Sequence, residues 1–224
     1  MELRSAPKHD FPMRFSLAGR SVVLRPLAAE DLQPMIAFAA ALSDDDVLFL
    51  ERDISDPAEV EAWIKDTLEG RVVTLVAWED DAVIGYATFN RGHVRWTNHV
   101  AELRLVVAQS ARGIGIGRLL LELAFEMVLD LGVTKVMARM TPEQTGARKL
   151  FQRLGFAEEA VLRDHAIDAN GLTHDLLVLC FHIAAHRGQC CEVCKIPVLE
   201  ALFLDGSRLC SNCYESRYNE LGTG

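Results

Sequence analysis

The stretch that most constrains this chain runs from Leu103 to Arg118, LRLVVAQSARGIGIGR. An apolar run ends at Ala108, a short polar turn follows, and Arg112 then introduces glycines at 113, 115 and 117. From Leu119 to Leu131 the chain reads as a buried helix. The order is therefore strand, glycine-rich turn, helix. Glycine lets a backbone approach a ligand closely. The first turn of a helix carries N–H groups without intrahelical partners, and its dipole favours negative charge. Together these features make a cradle for a phosphate or pyrophosphate. A tight strand-to-helix turn that holds no ligand is the plain alternative.

Two phosphate loops do not fit. A Walker loop needs a Lys after its last glycine, and none follows here. A dinucleotide fingerprint is spaced Gly-x-Gly-x-x-Gly, whereas this chain reads Gly113-x-Gly115-x-Gly117 with Arg112 ahead of it. Arg112-x-x-Gly115-x-Gly117, with its preceding strand, its following helix and a later Leu154-Gly155-Phe156, resembles the pyrophosphate loop of the GNAT superfamily, the acyl-CoA-dependent N-acetyltransferases. The resemblance covers roughly residues 20–184. It implies a mixed α/β (α+β) fold whose central sheet of about seven strands is flanked by helices. It also implies that the fourth and fifth of those strands splay apart to admit the pantetheine arm.

Read in order, residues 1–18 look like a loose lead-in, and Ser21–Pro26 a short strand. Glu30–Leu42 reads as a helix in which Pro34 must lie in the first turn. Asp56-Pro57-Ala58-Glu59 is a helix start, with Asp as cap and Pro at the first helical position, and the helix should stop at Gly70. Strands are expected at Val72–Trp78, Ala82–Asn90, Val100–Ala108 and Val133–Met140. A helix follows over Thr145–Leu154, and then a hairpin across Asn170-Gly171.

Acetyl transfer from a thioester to an amine needs the cofactor held, the carbonyl polarised and the amine deprotonated. A lysine amine has a pKa of about 10.4, so a base is expected. The resemblance assigns the backbone of Leu105, Val106 and Val107 to pantetheine and the thioester. It assigns the main-chain N–H groups of Arg112, Gly113, Ile114, Gly115, Ile116 and Gly117 to the pyrophosphate, with Arg118 adding a charge. Glu102 lies in a segment resembling the bacterial protein-acetyltransferase branch, which implies that it is the base. The other reading pairs Glu102 with Arg104, two residues on and on the same strand face. In the register of the later family helix stand Gln144, Ala147 and Phe151. Phe151 replaces a tyrosine that many members use as general acid. His93, His99, His165 and His174 are weaker candidates, and Cys180 reads as a small apolar residue in the last strand.

The other five cysteines fall between 190 and 213. Cys191-x2-Cys194 and Cys210-x2-Cys213, fifteen residues apart, have the spacing of a four-thiolate structural zinc site. Cys190 offers a poorer register with Cys194. The intervening residues suit a hairpin. Two units are thus expected, an acetyltransferase domain over 1–185 and a zinc module over 186–224.

A net charge of −9 argues against general nucleic-acid binding. No apolar stretch reads as a signal peptide or membrane span, so a cytoplasmic location is expected. The sequence therefore points to an acetyl-CoA-dependent N-acetyltransferase that works by direct transfer to a primary amine. The setting of Glu102 favours a protein lysine. A small-molecule amine acceptor and a non-catalytic CoA-binding sensor, docked through the zinc module, are the alternatives. Oligomeric state stays open, a homodimer included.

Overall fold

The computed structural model describes residues 10–43, 46, 50, 52–92, 94–129, 131–168, 170–183, 192, 202–204 and 207–209. Strands β1 (Met13–Leu17), β2 (Arg20–Pro26), β3 (Val72–Glu79), β4 (Ala82–Arg91), β5 (Val100–Val107), β6 (Lys135–Met140), β7 (Ala157–Ile167) and β8 (Thr173–His182) form one sheet. Their order is β1-β2-β3-β4-β5-β6-β8-β7, and only β5 and β6 pair in parallel. Helices α1 (Leu32–Ala40), α2 (Pro57–Leu68), α3 (Ile116–Leu129) and α4 (Thr145–Arg153) flank it.

The sheet has eight strands rather than seven, because part of the expected lead-in is β1. It pairs antiparallel with β2 across Ala18-Gly19, both at positive φ (50° and 80°). Such a two-residue turn matches the twist of a hairpin. Alanine is a poor herald of that geometry, which is why the sequence does not announce it. The expected Glu30–Leu42 helix begins instead with a 3-10 turn, Ala29–Asp31, and Pro34 falls in the first turn of α1. There its missing N–H has no intrahelical partner to lose. The α2 start matches its sequence signature: the Asp56 carboxylate accepts the Ala58 N–H at 2.9 Å, and Pro57 is the first helical residue.

The alternating pattern of the strands divides the core in two. On one face α1 and α2 bury Met35, Phe38, Val60 and Trp63 against Val76, Tyr86 and Val106. On the other, α3 and α4 cover Leu75, Phe89, Leu103 and Leu179. Leu120 and Leu123 of α3 are fully buried. Each such side chain contributes about 1.5–3 kcal/mol by leaving water, so α3 is a main prop of the sheet. Phe125, Phe151, Phe156 and Phe181 meet edge-on or tilted beside it, at centroid distances of 5.0–6.1 Å.

The expected hairpin across Asn170-Gly171 is present, and β8 lies between β6 and the edge strand β7. In the tail, β9 (Leu202–Leu204) and β10 (Ser207–Leu209) form the expected hairpin between the two cysteine pairs. Leu209 is fully buried and belongs to the same apolar cluster as α3, with Leu204 packed against it. Cys191, Cys194, Cys210 and Cys213 lie outside the described residues, as do Cys190 and His93. Among the described residues no group of His, Cys, Asp or Glu could hold a metal. Among them too, no helix is long and apolar enough to cross a membrane.

Candidate active site

The ladder between β5 and β6 is short. It pairs Val100 with Lys135, Ala101 with Val136 and Glu102 with Met137, and then ends. Both strands continue, β5 to Val107 and β6 to Met140. Beyond Glu102 the main-chain groups that β5 turns toward β6 have no ladder partner there. This is the splay that the resemblance implies, and it leaves Leu105, Val106 and Val107 beside an open seam. Gly85 of β4 sits behind it. A Cβ there would lie 2.8 Å from the Val106 carbonyl oxygen, so glycine permits the close approach of β4 to β5.

The glycine loop follows at the end of β5. Gly113 and Gly115 have φ of +82° and +94°, which L side chains rarely adopt. Helix α3 begins at Ile116, and the Gly115 carbonyl accepts the Leu119 N–H at 3.1 Å. The first-turn N–H groups of α3 thus face out of its N-terminus. Gly117 has a different task. A Cβ there would meet Leu150 Cδ2 at 3.4 Å, Leu105 Cδ2 at 3.5 Å and Val107 Cγ2 at 3.6 Å, so α3, α4 and β5 converge at this point.

The side chains of the expected cofactor residues are mostly engaged elsewhere. Ile116 is 1 % exposed, and Ile114 and Ala147 pack against the core, so a ligand would meet their backbone or edges. Phe151 is a core residue, edge-on to Phe156 at 5.0 Å. Gln144 precedes α4 and its side-chain oxygen accepts the Thr141 N–H at 3.0 Å. Arg118 donates from Nε to the buried Glu122 at 2.8 Å. Arg112 donates from Nη2 to Asp46 at 2.6 Å and from Nε to the Val107 carbonyl at 3.1 Å.

Glu102 sits where the ladder ends, on the opposite sheet face from α3. It pairs with Arg104 at 2.5 Å, as the plainer sequence reading expects. It also accepts two hydrogen bonds from Arg139 of β6, at 2.8 and 2.7 Å. Arg139 escapes the sequence reading because it lies thirty-seven residues away. Its one sequence signal is a guanidinium alternating with buried residues in KVMARM. Arg104 Nη1 reaches across the splay to the Arg139 carbonyl at 3.3 Å. Its Nε is buried, and among the described residues it has no hydrogen-bond partner.

Opposite pairs on β4 and β5 extend this patch: Asn90 with Glu102, Thr88 with Arg104, Tyr86 with Val106. Tyr86, Thr88, Asn90 and Arg104 line a pocket, closed by Trp63 of α2 and by Leu50, Arg52 and Ile54 from the segment before it. Trp63 Nε1 donates to Thr74, whose hydroxyl lies 3.0 Å from that of Thr88. Arg52 pairs with Asp66 at 2.7 Å. Burial pushes the Tyr86 hydroxyl far above the ordinary phenol range, against the pull of Arg104. Nothing in a single sequence marks Leu50, Arg52 and Ile54 as neighbours of β5.

The remaining candidates lie apart. His174 pairs with Asp168 at 3.2 Å, at the tip of the β7–β8 hairpin. His99 receives the Thr134 and Lys135 N–H groups on its carbonyl. Cys180 is 3 % exposed in β8, and burial first, then Glu159, push its thiol up to about 11.

A sheet that opens beside a glycine-lined helix start, with a carboxylate and a pocket on the far side, defines an acyl-CoA-dependent transferase. The model of the acetyltransferase (GNAT) family matches residues 36–156. The chain belongs to that family and is an acetyl-CoA-dependent N-acetyltransferase. It is 24 % identical over 159 residues, 70 % of this chain and 97 % of the relative, to YwnH of Bacillus subtilis (strain 168), named provisionally as a phosphinothricin acetyltransferase. It is similar to the ribosomal-protein-alanine N-acetyltransferase of Brucella melitensis, with a TM-score of 0.62, 26 % identity and 71 % and 98 % of the two chains covered. The acetyltransferase-like yncA of Salmonella typhimurium, solved with acetyl-CoA, shares the fold at a TM-score of 0.61 and 19 % identity, with 72 % and 93 % covered.

Proposed function

We propose that this chain transfers the acetyl group of acetyl-CoA directly to the primary amine of a small molecule, in a ternary complex. The observation that carries the reading is the end of the β5–β6 ladder at Glu102, with the glycine loop on one side of the opening and the Arg104 pocket on the other. In this reading the backbone of Leu105–Val107 meets pantetheine and thioester. The N–H groups of Gly113–Gly117 meet the pyrophosphate. Gln144 and Ala147 border the same opening, while Phe151 supports it from the core.

The amine loses its proton to Glu102, directly or through water, and its nitrogen attacks the thioester carbonyl. The C–S bond then breaks, CoA leaves as thiolate, and the excess proton on the new amide nitrogen passes to water. A thiol pKa near 8.5 allows that without a dedicated acid, in keeping with Phe151 in place of the family tyrosine. Glu102 first has to give up one of its arginine contacts.

One relative is named for phosphinothricin and one for ribosomal-protein alanine, so names do not choose the acceptor. What supports a small amine is the pocket, where walls from Leu50, Ile54 and Trp63 around a buried arginine suit it better than a lysine side chain on a protein surface. A protein lysine, favoured by the sequence setting of Glu102, is the second reading. The test is CoA release by the full-length protein with small amines and with lysine peptides. Release with peptides alone reverses the choice.

The tail proposal rests on sequence spacing: two Cys-x2-Cys pairs on either side of the β9–β10 hairpin support one structural zinc. Its four thiolates leave no open position for chemistry.

A further inference from the structure

We propose, resting on the assignment of the glycine loop to the pyrophosphate, that Arg20 is a positioning residue for acetyl-CoA. With Glu79 it fixes the stem of that loop, at a carbonyl 90 residues further along the chain. Arg20 opens β2 and Glu79 closes β3. The antiparallel register brings both to the end of the sheet where β5 finishes at Val107. The guanidinium donates from Nε and Nη2 to the two Glu79 oxygens, at 2.6 and 2.5 Å. Such bidentate pairing fixes the plane of a guanidinium. It leaves Nη1 to donate to the Ser110 carbonyl at 2.8 Å.

Ser110 lies in the 3-10 turn Gln109–Ala111, between the end of β5 and the glycines. Ala111 is fully buried, and its N–H donates to the Ala108 carbonyl at 2.9 Å. The Arg112 N–H is engaged by the Gln109 carbonyl at 3.3 Å, so the donors left for a pyrophosphate begin at Gly113. Gly113 and Gly115 have positive φ, and among the described residues no heavy atom lies within 4 Å of a Cβ built on either. A glycine loop without side-chain packing takes its shape from its two ends. Helix α3 fixes one end. The Ser110 turn fixes the other, tied by Arg20 at the Ser110 carbonyl and by Arg112 Nε at the Val107 carbonyl.

Holding a loop in its bound shape lowers the ordering cost of binding. Arg20 thus acts on cofactor affinity through the backbone rather than as a free charge, because Glu79 already matches that charge. The Arg20 hydrogen bond chiefly holds the Glu79 carboxyl below its ordinary range, so the pair stays ionised at neutral pH.

The experiment is calorimetry on the full-length protein with acetyl-CoA and with S-acetylpantetheine, which lacks the pyrophosphate and the nucleotide. It needs no acceptor, and thermal unfolding checks that each variant is folded. Wild-type protein should favour acetyl-CoA by about tenfold or more, as charge-assisted bonds to the pyrophosphate imply. Equal affinities overturn the loop assignment and this inference with it. Arg20→Gln should weaken acetyl-CoA by about fivefold to tenfold, the effect of one partly exposed charge-assisted bond, while S-acetylpantetheine holds. Arg20→Lys keeps the charge without the planar fork and should resemble Arg20→Gln. Glu79→Ala separates positioning from field. Loss of a carboxylate near an anionic ligand would tighten binding through the field alone, whereas release of the Arg20 fork should weaken acetyl-CoA by about threefold. Wild-type affinity in Arg20→Gln, or tighter binding in Glu79→Ala, overturns the inference and leaves the loop assignment intact. An equal loss for both ligands marks a general structural role and overturns it too. Where Arg20→Gln fails to fold, Arg20→Lys and Glu79→Ala decide.

Discussion

Replacing Gly115 and Gly117 separately by alanine asks two different questions of one loop. Gly115 has φ +94°, and among the described residues no heavy atom lies within 4 Å of where its Cβ would stand. The cost of Gly115→Ala is thus backbone strain alone, about 1–2 kcal/mol for an L residue in left-handed space. If the loop keeps its shape, that cost lowers Tm by about 2–8 °C for a domain of this size. If the loop relaxes instead, its N–H groups turn from the pyrophosphate, and acetyl-CoA binding weakens by about fivefold to thirtyfold. Gly117 lies inside α3, and its Cβ would make contacts of 3.4–3.6 Å, ordinary van der Waals distances. Gly117→Ala should leave Tm level or slightly raised, since alanine is worth up to about 1 kcal/mol over glycine within a helix. Thermal unfolding and calorimetry with acetyl-CoA read both variants. A Gly115→Ala protein with unchanged Tm and unchanged affinity refutes the argument, and so does a Gly117→Ala protein that loses as much as its neighbour.

Glu102→Gln should lower turnover by about a hundredfold or more while acetyl-CoA still binds, as loss of a general base does; equal turnover at neutral pH would transfer the role to water. Lys135 chiefly, then Cys180 and His182, hold the Glu159 carboxyl down at about 2. A depressed carboxylate stabilises the fold above its unfolded value of about 4.3 and loses that effect as pH falls toward the folded one. Urea unfolding from pH 7 to pH 2 should therefore show an acid-limb loss that is smaller in Glu159→Gln, with no difference in pH dependence between the two proteins from pH 5 to 7. Elemental analysis of protein purified without chelator should give about one zinc per chain; a metal-free tail that stays ordered would sink the zinc reading.

Local chemistry made much of the fold readable. Asp56-Pro57 announced α2, Asn170-Gly171 the last hairpin, and the glycine spacing the start of α3. What escaped was set by distance or by exceptions. Ala18 at positive φ hid β1. Arg139 met Glu102 only because a parallel ladder aligns β6 with β5. The pocket draws Leu50, Arg52 and Ile54 from a connection whose sequence says nothing of β5. Glu102 was legible as a charged residue at the head of a strand, but its two-guanidinium setting was not.

The burial of Leu209 changes what the tail is. The division at residue 186 is one of sequence, yet a fully buried leucine beyond it belongs to the main apolar cluster. A pendant module would melt by itself and could be cut away without loss. A segment that plugs the core of its neighbour is part of one cooperative unit. Removing a buried leucine side chain costs about 2–5 kcal/mol. Truncation after His186 removes Leu209 outright and bares the apolar atoms that it covers. Scanning calorimetry of the whole chain should thus record a single endotherm, tail and sheet melting together, and if the proposed zinc is bound, chelation should shift all of that endotherm rather than a separate part of it.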